Sequence, residues 1–130
     1  MCVIALKDNH FLFKKHDAIT IFPFIFIKES KKDNKALITH EKTHVLQVLQ
    51  LRGLLYYFSK EMRYKLELEA YQNQLNYHYQ EYIRNNPNDN EKVEYYKQYA
   101  KKYSEYMGSK YSLPIGTQDR AYQSFMSKFK

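Results

Sequence analysis

Apolar positions change their period along this chain. Up to about residue 28 they come in short runs rich in Phe and Ile, at 10–14 and 19–27, which suit strands with a pleated, buried face. Pro23 cannot donate to a ladder, so the second run is expected to bend there or to lie at a sheet edge. Polar residues 29–34 mark a turn. From about Asp33 the spacing becomes helical. Asp33 or Asn34 is the candidate N-cap of a helix that passes His44 and ends near Arg52, with a break at Gly53. A second helix is predicted over about 60–84, from the stripe Tyr64, Leu68, Tyr71, Leu75, Tyr79 and Tyr82. Residues 85–90, with Pro87, form a loop. A third helix over about 91–107 sets Val93, Tyr96, Ala100, Tyr103 and Met107 on one face. Residues 108–116 read as loop and 117–128 as a short terminal helix. Both tyrosine stripes read as core. The pattern is that of an α+β fold in one domain, residues 1–130: mainly strand over 1–32, mainly helical over 33–107, then a loop and a short helix over 108–130.

Composition changes this picture little. Hydrophobic residues make up 44% and charged residues 27%, enough for a core and too ordered a mixture for a disordered chain. The 14 Tyr and 8 Phe, with no Trp, put unusual weight on rings that carry a hydroxyl. A net charge of +7 permits anionic partners, but the lysines are spread out (Lys14-Lys15, Lys101-Lys102, Lys128, Lys130). A solvated basic surface is the expectation, and nucleic acid is a permitted partner that the pattern does not favour. The single cysteine, Cys2, excludes an internal disulfide and a cysteine-type zinc site. No signal peptide is expected, because the apolar run at 3–6 is short and Lys7-Asp8 follows it. No transmembrane segment is expected either: the run at 18–27 has ten residues and contains Pro23, while a span needs about 20. Without a signal peptide the expected location is the cytoplasm, or the virion if the gene is a phage gene, and the Lys, Asn, Ile and Tyr content fits an AT-rich phage or bacterial genome.

The chemistry concentrates in His40-Glu41-Lys42-Thr43-His44. Two histidines four apart on a helix lie on one face, about one turn apart, where both can hold one cation. Glu41 stands beside them, placed to take a proton from a water that the metal acidifies. Catalytic zinc takes three protein ligands and keeps one position open. A histidine six residues after His44 would be one source of the third ligand, but Gln50 stands there. A glutamate from the next helix is the other, and two are present, Glu67 and Glu69. They point about 200° apart, so only one faces the metal. Glu67 lies about 60° from the centre of the apolar stripe and Glu69 about 140° from it, which favours Glu67 and leaves Glu69 as the alternative. His78 lies on the same side as Glu67 but about 16 Å along the axis, too far to share its ion. It is either a satisfied histidine or a group that orients substrate or stabilises a transition state. His10 and His16 receive no role.

These residues resemble the gluzincin branch of the zincin metallopeptidases. The likeness is nearest to small bacterial and phage proteins with His-Glu-Lys-x-His-x-x-Gln and a downstream Glu-x-Glu-Ala-Tyr, here at 67–71, and it covers about residues 17–77. It implies one zinc ion per chain held by His40, His44 and a glutamate, with Glu41 as general base. The Glu-x-x-Ala-Asp arrangement of the larger gluzincins maps its first Glu onto Glu67 and puts Tyr71 where the Asp stands. The Glu-Ala-x-x-Asp arrangement maps onto Glu69 and Asn73. In both alignments the acid that orients a ligand histidine is missing.

Three readings follow. The favoured one is a zinc-dependent metallopeptidase acting on a peptide or protein. In it the 19–27 strand holds an extended substrate by its backbone, and Tyr71 is a candidate oxyanion donor. The second is a non-catalytic zinc-binding structural or interaction protein on the same scaffold. The third is a basic, tyrosine-rich nucleic-acid-binding protein. The oligomeric state is left open.

Overall fold

The computed structural model describes residues 2–129. The chain is an α+β protein: a three-stranded sheet at the N-terminal end, followed by four helices. Strand β1 is Cys2–Leu6, β2 is Ala18–Ile21 and β3 is Phe24–Lys28, in the spatial order β1-β3-β2. β1 runs parallel to β3, and β2 runs antiparallel to it. The run at 19–27 is therefore a hairpin and not one bent strand. Phe22-Pro23 forms its two-residue connection, where the missing N–H of proline costs no ladder bond. The run at 10–14 is not a strand either. Phe11–Phe13 is a single 3₁₀ turn, capped by His10, whose Nδ1 accepts from Leu12 N at 3.3 Å. β1 corresponds to none of the runs picked out by periodicity.

The register decides which side chains face the helices. Ala18 pairs with Ile27 and Thr20 with Ile25, and paired residues share a face. Ile25 and Ile27 are fully buried, so Thr20 also points inward, toward helix α1.

Helix α1 is Lys35–Leu49, with Asn34 as N-cap accepting from Leu37 N at 3.0 Å. It stops about one turn before Arg52. Leu51 adopts φ 63°, a left-handed conformation that ends the helix in place of a glycine. A 3₁₀ segment, Gly53–Tyr57, then folds back onto α1. Gly53 is needed there because a Cβ would sit 2.6 Å from Val48 Cγ2.

Helix α2 is Lys60–Asn85, α3 is Lys92–Lys110 and α4 is Thr117–Met126, closed by a 3₁₀ turn at Ser127–Phe129. Their shared core is built on Tyr64, Tyr71 and Leu75 of α2, Tyr103 and Met107 of α3, and Phe125 of α4. The tyrosine stripes are therefore core, except that Tyr82, at the end of the α2 stripe, lies outside this cluster. Val93 is an exception: it is 39% exposed at the start of α3 and not on the buried face. α3 also runs three residues past Met107, which leaves only 111–116 as loop before α4. Among the described residues no helix is long and apolar enough to cross a membrane.

Candidate metal centre

Helices α1 and α2 pack side by side and bring three side chains to one point. His40 is 3% exposed, and the His44 side chain is 17% exposed at the floor of a cleft. Their Nε2 atoms lie 3.2 Å apart. Glu67 of α2 is 2% exposed, with its Oε2 at 3.4 Å from each of those nitrogens. These are the candidate ligand atoms of the one cluster of metal-ligating residues among those described. A tetrahedral ion with bonds of about 2.0–2.1 Å holds its ligand atoms about 3.3 Å apart, so this triangle has the size that one such ion needs. Glu67 Oε1 accepts from Tyr56 OH at 2.7 Å, while the buried Oε2 has only the two imidazole nitrogens beside it, at 3.4 Å. A buried carboxylate oxygen is costly without a partner, and a cation bound by the two imidazoles would satisfy it. The donor set fits the group.

Charge in the cluster follows the same geometry. Burial works against a proton on His44, but Glu67 and Glu41 outweigh it and push its pKa up to about 9 in the metal-free protein. Burial likewise raises the Glu67 carboxyl, yet His44 and His40 together hold it well below the usual carboxylate range. An imidazolium–carboxylate contact thus stands where the ion would bind, and the ion must displace that proton.

Glu69 is elsewhere. It lies on the outer side of α2, gripped by Arg52 through two contacts at 2.9 and 3.1 Å. The ligand geometry therefore belongs to Glu67. Glu41 is 5% exposed, and its Oε2 accepts from Thr20 Oγ1 at 2.6 Å, so the hairpin register fixes the carboxylate beside the cluster.

The two candidate transition-state groups, Tyr71 and His78, do not line the cleft over the cluster. Tyr71 is 5% exposed, with its ring edge-on to His40 at 4.3 Å. Its hydroxyl bonds the hydroxyl of Tyr111 at 2.9 Å, and it is Tyr111 that borders the cleft. His78 lies between α2 and α3, bonded to Tyr103 OH at 2.7 Å and stacked on Tyr99. It is a satisfied histidine of the helical core, as its distance along α2 implies.

The cleft above the cluster has a volume of about 510 Å³. β2, the end strand of the sheet, forms one wall, and the 3₁₀ segment forms the other. Ile21, Val48, Leu54 and Tyr57 make it largely apolar, with His16 and Tyr111 at the far side. Sequence reasoning gave no role to Thr20, Tyr56, Tyr111 or His16. Thr20 was accessible in principle, since an inward parity on β2 follows from the buried Ile25 once the hairpin is known. Tyr56, Tyr111 and His16 reach the site only through tertiary packing and leave no local signal. Gln47, quoted above as part of the motif, stands next to His44, bonded to its Nδ1 at 2.9 Å.

No protein-family model, curated protein or solved structure matches this chain.

Proposed function

We propose that this chain is a zinc-dependent peptidase of the gluzincin kind. The observation that carries the reading is the buried triangle of His40 Nε2, His44 Nε2 and Glu67 Oε2, with edges of 3.2–3.4 Å, opening onto a cleft beside Glu41. A structural zinc site is closed by four protein ligands, whereas three ligands beneath an open cleft suit catalysis. This favours the enzyme over a zinc-stabilised interaction protein.

Bound there, zinc would supply Lewis acidity toward a water and a carbonyl oxygen. The remaining work belongs to the chain. Glu41 takes a proton from the attacking water and passes it to the departing amine. Thr20 occupies Glu41 Oε2, which leaves Oε1 as the oxygen for proton transfer. The free side of β2 offers backbone groups to an extended peptide, and the apolar walls receive its side chains. Tyr111, at the cleft surface, is better placed than Tyr71 to meet a developing oxyanion.

The test is metal content by mass spectrometry of the wild type beside His44→Ala, Glu67→Ala, Glu69→Ala and Glu41→Gln. The expected result is about one zinc per chain, lost in the first two variants and kept in the last two. Glu41→Gln is further expected to lower peptide hydrolysis by roughly 10²–10⁴-fold. A wild type that holds no metal after zinc is added back would make the motif accidental.

A further inference from the structure

Gln47 follows His44 by three residues on α1 and is 1% exposed. Both N–H groups of its amide are used. Nε2 donates to the backbone oxygen of Leu66 at 2.9 Å and to Glu69 Oε2 at 3.1 Å. Each of these partners can only accept, so the amide fits one way round. The reversed amide would set its oxygen against a carbonyl and a carboxylate. Gln47 Oε1 is therefore committed as an acceptor, and it lies 2.9 Å from His44 Nδ1. His44 must then carry its proton on Nδ1 when a metal is bound, and its Nε2 lone pair points at His40 Nε2 and Glu67 Oε2. Glu69 is in turn held by the two-pronged grip of Arg52.

We propose that Gln47 is a positioning residue, and that Arg52, Glu69 and Gln47 form a relay fixing the tautomer and ring plane of His44. The relay rests on the metal-site reading above. It answers the absence of an acid at Tyr71 and Asn73: a neutral amide touches the imidazole, and the negative charge stands one hydrogen bond further out. It also gives the two glutamates of the Glu-x-Glu pair separate duties, Glu67 as ligand and Glu69 as anchor. His40 has no counterpart, because its Nδ1 is buried without a hydrogen-bond partner. The effect of breaking the relay should therefore fall on His44.

The experiment measures zinc affinity by chelator competition at pH 8 for the wild type, Gln47→Leu and Glu69→Gln. Nuclear magnetic resonance of the zinc-loaded proteins follows how fast the His44 Nδ1 proton exchanges with water. Gln47→Leu is expected to weaken zinc binding roughly 10–100-fold and to speed that exchange. Glu69→Gln is expected to lose only a few-fold, since Leu66 O still orients the amide. Its position is half-exposed, so it keeps the test open if Gln47→Leu folds poorly. A folded Gln47→Leu protein that binds zinc as tightly as the wild type overturns the relay. Unchanged proton exchange in Glu69→Gln and Gln47→Leu together would overturn it too. Failure of the wild type to bind zinc is a distinct result, which removes the metal site itself.

Discussion

Thr20 and Glu41 show how much of the site is settled by single side chains. Glu41 lies almost wholly out of water, and Thr20 Oγ1 is the side-chain donor that reaches its carboxylate. A buried carboxylate that loses such a donor turns toward a new partner, which spoils a base that must be aimed. Thr20→Val keeps the side-chain shape and the β-branch and removes only the hydroxyl. It is expected to leave zinc content and fold unchanged while lowering kcat/KM by roughly ten- to a hundredfold. Kinetics on a peptide that the wild type cleaves, beside metal analysis of the same sample, check this. Full activity with zinc in place would show that Glu41 needs no aiming from β2. Tyr56 does for Glu67 what Thr20 does for Glu41, since its bond to Oε1 turns Oε2 toward the histidines.

At the scale of elements, legibility tracked how local the cause was. Asn34, the two histidines at helical spacing and the tyrosine stripes act within one element, so their pattern shows in the sequence. The inward direction of Glu67 follows from the same stripe, because a residue within about 60° of an apolar centre is buried when the helix packs. The hairpin was hidden: Ala18–Ile21 and Phe24–Lys28 are one apolar run in sequence, and only Pro23 hints at the turn. The end of α1 was misread because the left-handed residue is Leu51, where glycine would be usual. Packing between α2 and α3 explains His78. Burial, then Lys102, depresses its pKa from 6.5 to about 4. The unfolded chain therefore takes up a proton between those values that the folded protein refuses, and stability falls as pH drops from about 6.5 toward 4. His78→Gln keeps a partner for Tyr103 and removes the titration. Melting temperatures across that window should fall less steeply for the variant than for the wild type. Parallel slopes would mean that His78 is as free to charge in the folded protein as in the unfolded one.

For the whole molecule, the candidate metal centre lies on the seam where two packed parts meet. The sheet holds α1 through Thr20 and the buried Ile25 and Ile27, while the tyrosine-rich core of α2, α3 and α4 stands on the other side of α2. His40 and His44 belong to the first body and Glu67 to the second, so an ion bound by all three ties the bodies together. Ligand binding to the folded state alone stabilises by about 4 kcal/mol at a thousandfold excess over the dissociation constant. For a chain of 130 residues that corresponds to a rise in Tm of roughly 10–20 °C. Thermal melts followed by circular dichroism, with zinc and then with excess chelator, should show this rise and its reversal. The shift should vanish in Glu67→Ala and survive in Glu41→Gln, because only the former removes the ligand that α2 contributes. It should also shrink as pH falls below about 9, where a proton competes with the ion for His44. A zinc-dependent rise of equal size in Glu67→Ala would place the ion on α1 alone.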